Sequence, residues 1–121
     1  MALTSNIRTY QDADADPGII YQKFVSLSGV SILTELVANT DSTKQIQILA
    51  IILATSTAGL FTIKTDTDNI AIIALAANTS LSETAQNSER PLFVANLGKN
   101  ISITPSTTIT TGGIYIQYRI R

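Results

Sequence analysis

From Ile19 onward the chain is a succession of short apolar runs divided by polar turns. Most of the runs alternate with the two-residue period of a half-buried strand. "YQKFVSLSG" puts Tyr21, Lys23, Val25 and Leu27 on one side and Phe24 on the other. "GLFTIKT" sets Leu60, Thr62 and Lys64 against Phe61 and Ile63, and "KNISITP" alternates Ile101 and Ile103 with polar residues. "GGIYIQYRIR" opposes Ile114, Ile116, Tyr118 and Ile120 to Tyr115, Gln117 and Arg119, which places those last three on an outer sheet face or against a neighbouring subunit. "KQIQILAIILATS" begins by alternating and becomes apolar on both sides, as expected of a central strand whose far end is covered on each face. "NIAIIALAA" and "RPLFVANLG", the latter with Pro91 at its start, complete the clear strand signals.

One run is ambiguous. "VSILTELVA" reads as a strand, but Leu33, Leu36 and Val37 also fit a helical face. "SETAQNSER", residues 82–90, reads as a long loop between strands. "NTDST", "TSTAG", "TDTDN" and "TGG" are turn signals. Short Ile-, Val- and Thr-rich strands at this spacing predict an all-β, antiparallel, jelly-roll-like β-sandwich. It is expected to span residues 21–121, behind an extended N-terminal arm and acidic linker at 1–20.

Two stretches look metal-like: "TDTDN", with Asp66 and Asp68, which lacks the Gly and closing Glu of a calcium loop and reads as a turn, and the linker. In "DADADPG" Asp12, Asp14 and Asp16 fit the first three ligand positions of a helix–loop–helix calcium site. The sixth position, which needs Gly, is then Pro17, and the twelfth, which needs a chelating Glu, is Lys23. The run is therefore read as a solvated spacer, kept extended by charge repulsion and by Pro17. The arm before it carries three apolar anchors, Leu3, Ile7 and Tyr10, suited to a groove or a sheet edge on another protein; the competing readings are a first strand of the same domain or a frayed terminus.

Composition narrows the function. The chain has 121 residues, 14% charged and 45% hydrophobic, so much of its surface must be Thr, Ser, Asn and Gln or lie against other protein. A net charge of −1 with scattered basic residues argues against a nucleic-acid footprint, and neither nucleic acid nor a membrane is an expected partner. With no Cys and no His, thiolate chemistry, His-based triads and most zinc sites are absent, and folding in a reducing cytoplasm is favoured. "MALTSNIRTY" lacks the features of a signal peptide, and "ILAIILA" is too short to span a bilayer. The acids Asp41, Asp66, Asp68, Glu83 and Glu89 fall in predicted loops, and Glu35 is expected to point outward. No catalytic pair, cofactor or small-molecule substrate is expected.

Two longer stretches resemble a known family. "ILTELVANTDSTKQIQILAIILATSTAGLFTIKT" and "PLFVANLGKNISITPSTTITTGGIYIQYRI" are similar in strand and turn pattern to the small proteins that decorate or cement the heads of tailed bacteriophages. The matching positions are Pro91-Leu92, Gly98 with Ile101 and Ile103, and Gly113 with Tyr118. The resemblance covers about residues 31–120 and leaves the arm unmatched. It implies a jelly-roll-like sandwich, a homotrimer, and a non-enzymatic role on the capsid exterior after assembly in the host cytoplasm. The implied partner is the major capsid protein, whose neighbouring copies it bridges. The competing reading is a receptor- or carbohydrate-binding module of a tail fibre.

Overall fold

The computed structural model describes residues 19–87 and 89–121. The described residues form β1 (Tyr21–Ser26), β2 (Thr34–Val37), β3 (Ile46–Thr55), β4 (Gly59–Thr65), β5 (Asp68–Leu75), β6 (Thr79–Thr84), β7 (Phe93–Val94), β8 (Ile101–Pro105) and β9 (Gly112–Ile120). They contain no helix. Leu3, Ile7, Tyr10 and the three linker aspartates lie outside the described residues.

The strands make two antiparallel sheets, ordered β1-β9-β3-β6 and β2-β8-β4-β5, with β7 added to β3 beside β6. The pairings have a simple logic. β1 pairs with β9, β2 with β8, β3 with β6 and β4 with β5, as in one long antiparallel ribbon. Rolling that ribbon brings β9 against β3 and β8 against β4. This is the jelly-roll topology, and it buries the inner faces of both sheets in one core.

The core follows the alternation in the sequence. One sheet supplies Ile46, Ile48, Ile51, Leu53, Ile114 and Ile116; the other supplies Leu36, Phe61, Ile63, Ile73, Ile101 and Ile103. Leu27 and Ile109, both fully buried, belong to the same cluster. Ile109 anchors the Thr-rich "TPSTTITTGG" loop, whose backbone pairs with the β1–β2 connection through Gly29 N–H to Ile109 O and Ile109 N–H to Val30 O. Three register shifts fall at Leu36, Leu49 and Ile70. Each inserts one residue, so Leu36 and Val37, or Ile48 and Leu49, can be buried side by side.

Several expectations need correction. "VSILTELVA" is a strand, but only from Thr34; Ile32 and Leu33 are exposed. "SETAQNSER" is not all loop, because its first three residues finish β6, an edge strand with Leu81 as its single apolar residue. "RPLFVANLG" keeps only two residues of strand, and the final strand starts at Gly112, inside the predicted "TGG" turn. β3 is central as expected, yet its far end is not covered on both faces: Ile52 and Ala54 are exposed. Arg119 has the outward parity of Tyr115 and Gln117 but is only 1% exposed. Its Nε donates to Oε1 of Gln47, its register partner on β3, at 2.6 Å. Burial, and then Arg121, lower the Arg119 pKa, while Glu89 opposes them.

The ends of the sandwich are tied by side chains. At the β2–β3 turn, Asp41 Oδ1 accepts from the Thr43 hydroxyl (2.6 Å) and backbone N–H (2.9 Å). The hydroxyl bond first, then the backbone bond, hold the Asp41 carboxyl below its ordinary value of 3.8. Gly98 lies against this turn. Its N–H donates to Lys44 O, its φ is +73°, and a Cβ there would sit 2.9 Å from Ser42 O. Gly29 also has positive φ, but a Cβ there would meet nothing within 4 Å.

The two glycines therefore separate strain from crowding. Gly29→Ala should cost about 1 kcal/mol, the penalty of a left-handed residue with a side chain. Gly98→Ala should cost about 2 kcal/mol or more, since the backbone at Ser42 must also move. Denaturant melts of both variants check the order; equal losses would place no crowding at Gly98. For Asp41, a depressed pKa means stability present above the unfolded value and lost as pH falls through the folded one. The stability difference between wild type and Asp41→Asn should accordingly decline as pH is lowered from about 5 to below 3.8. A flat difference in acid melts would sever the link between the turn and this titration.

Candidate functional site: an uncharged outer sheet face

The outer face of the β1-β9-β3-β6 sheet carries an apolar groove. Register places Phe24, Tyr115, Ile52 and Ser82 in one row across four strands. The neighbouring row runs Ser26, Gly113, Ala54 and Ser80. Phe24 is 68% exposed and Ile52 42%, with Tyr115 half-buried between them.

The absence of a side chain at Gly113 shapes this surface. A Cβ there would lie 2.5 Å from the Phe24 ring, so the ring occupies the space above the glycine. Beside it lies an open groove of about 610 Å³, whose lining includes Phe24, Ile52, Tyr115, Asn78, Ser80 and Thr111 and no charged residue. The loop hydroxyls at its rim are already engaged. Ser56 Oγ donates to Thr111 O (3.1 Å) and accepts from Thr111 N–H (3.2 Å), and Thr57 Oγ1 accepts from Thr110 N–H (3.0 Å). These loop-to-loop bonds tie the Ser56–Thr111 side of the rim.

Two other places were indicated by sequence. Two of the acids are structural acceptors, as Asp41 is at its turn: Asn100 Nδ2 donates to Glu35 Oε1 at 2.8 Å, and Asn96 Nδ2 donates to Asp68 Oδ2 at 2.7 Å. Glu35 is exposed, as expected, and no three His, Cys, Asp or Glu come together among the described residues. The second place is the root of the arm. Ile19 and Tyr21 line a hollow with Tyr118, Ile120, Asp41 and Lys44. The Tyr21 and Tyr118 rings stack at 5.4 Å between centroids with 26° between planes.

The sequence marked Tyr115 as outward-facing and set Phe24 opposite Val25 and Leu27 without giving it a face; it did not mark Ile52 and Ala54, whose apolar character reads as a covered strand. Only the register joins the four.

No protein-family profile matches the chain, and no curated protein or solved structure matches it. Among the described residues, no helix is long and apolar enough to cross a membrane.

Replacing Gly113 tests how the surface is built. Gly113→Ala should push the Phe24 ring off its seat at a cost of about 1 kcal/mol, because an exposed ring can rotate away. NMR contacts between the Phe24 ring and the residue 113 backbone should vanish. Their persistence would mean that the ring does not rest on the glycine.

Proposed function

We propose that the chain is a structural virion protein: a cement or decoration protein that binds the outside of a tailed-phage head and stabilises the shell by bridging major capsid proteins. The observation that carries this reading is the uncharged apolar face at Phe24, Ile52 and Tyr115 on a jelly-roll sandwich. An exposed patch of this kind, with a rim of hydroxyls, suits a protein partner. The strand and turn pattern shared with head-decoration proteins supports the same reading, as do the apolar anchors Leu3, Ile7 and Tyr10 ahead of an acidic spacer. Mechanically, the arm would engage one capsid subunit and the sheet face another. Two weak contacts on one shell add through effective concentration, so retention can exceed either contact alone by a factor of about 100 or more. The shell then resists the outward pressure of packaged DNA.

A second reading, a glycan-binding module of a tail fibre, draws on the same surface. An exposed Phe24 ring beside a groove bordered by Ser, Thr and Asn side chains could stack on a sugar.

The test uses heads that lack this protein, from the phage whose genome encodes the chain. Full-length protein should co-sediment with them to a fixed number of copies and raise the temperature at which they release DNA. A folded chain lacking residues 1–20 should bind about 10-fold or more weakly. No co-sedimentation of the full-length chain would overturn the capsid reading, and equal binding by the shortened one would remove the arm from it. Saturable binding on a glycan array would favour the fibre module.

A further inference from the structure

We infer that the outer edge of β1 is a self-recognition edge, at which two copies of this chain pair antiparallel about a two-fold axis with Phe24 opposite Phe24. The inference does not depend on the capsid reading.

Among the described residues, β1 has one strand neighbour, β9. Its hydrogen-bonding direction can be read from the structure. Leu27 N–H donates to Gly112 O, so Leu27 points its backbone groups at β9. Alternation along the strand gives Val25, Lys23 and Tyr21 the same direction. The N–H and C=O groups of Gln22, Phe24 and Ser26 therefore point the other way, off the edge of the sheet.

The other three sheet edges carry devices that discourage pairing. β2 has four residues and a bulge, β5 is bulged at Ile70, and β6 is polar and includes Glu83. β1 pairs with β9 over six consecutive positions without a bulge, has no Pro, and carries one charge, Lys23. Ile19, Ile20, Tyr21 and Phe24 are all exposed along it. Such an edge is a template for another strand.

The geometry also selects the partner and register. A two-fold axis normal to the sheet pairs residues whose numbers have a constant sum, and opposed residues share a face only if that sum is even. A sum of 46 sets Lys23 against Lys23, which like charges disfavour. A sum of 48 sets Phe24 against Phe24, Gln22 against Ser26, and Lys23 against Val25. In that register all three outward-pointing residues form hydrogen-bonded pairs, six bonds in total by symmetry. The order polar–aromatic–polar at 22, 24 and 26 is self-complementary, as an isologous contact requires. Lys23 thus acts as a register selector. The acidic part of the linker is a poorer strand partner, because Asp12, Asp14 and Asp16 are weak strand formers with like charges on one side; the segment carrying Leu3, Ile7 and Tyr10 is the competing occupant that the dilution series tells apart.

The experiment is a dilution series of the full-length chain, read by light scattering and by NMR hydrogen exchange. The mass should rise from 12.9 kDa toward twice that value. The amides of Gln22, Phe24 and Ser26 should exchange about 10-fold or more slowly in the dimer and lose that protection on dilution, while Lys23 and Val25 stay protected throughout. Two variants check the edge. Gln22→Pro removes an outward N–H and leaves the β9 ladder intact. Phe24→Lys sets two cations against each other at the axis. Each should weaken association about 10-fold or more. A monomer at every concentration, a trimer, or a dimer indifferent to both variants would overturn the inference. So would edge protection that survives dilution in a monomer, since the chain's own residues 1–18 would then cover β1.

Discussion

The pairing of β9 with β3 holds the architecture together. Without it the chain is an open ribbon of hairpin-like pairs; with it, the ribbon closes and two inner faces meet. The pairing runs from Gly112 opposite Thr55 to Ile120 opposite Ile46, with one shift where β3 takes in Leu49. That bulge lets β3 keep Ile46 and Ile48 on the core side before it and Ile51 and Leu53 on the core side after it. Because β9 is the final strand, this closure is a non-local event, of the kind that makes β-sandwiches slow to fold.

The same closure makes the outer surface. Phe24, Tyr115 and Ile52 come from β1, β9 and β3, and they touch one row only because β9 lies between the other two. Gly113, also on β9, leaves the space that Phe24 fills. Among the described residues, placing β9 inside the sheet leaves β1 at its edge. The apolar face and the edge are thus two consequences of one strand order.

Legibility in the sequence varied with burial. β4 appears at its predicted bounds because Phe61, Ile63 and Thr65 face a packed core while Leu60, Thr62 and Lys64 do not, so its alternation is clean. β6 was unreadable because "TSLSET" holds one apolar residue; backbone bonds to β3 make it a strand. "RPLFVANLG" erred the other way. Its apolar residues serve a segment that follows the edge of β3 through Leu92 N–H to Ile48 O and Ala95 N–H to Ile46 O, with only two residues in regular pairing. Arg119 has a surface residue's identity and parity, and its burial depends on elements distant in the chain.

By itself, then, the sequence determined the class of fold and most of the core. Period-two alternation of Ile, Leu and Val is a local property, imposed by which side of a strand must leave water. It also placed Tyr115 away from that core and Phe24 on the side opposite Val25 and Leu27. The tertiary structure decided which strands are neighbours, and hence which outward residues share a surface. It decided that Ile52 and Ala54 are exposed, that β1 lies at an edge among the described residues, and that Gln22, Phe24 and Ser26 turn their backbone groups away from β9. Pairing partners and hydrogen-bond direction depend on contacts between residues as far apart as Tyr21 and Tyr118, and no local pattern encodes those.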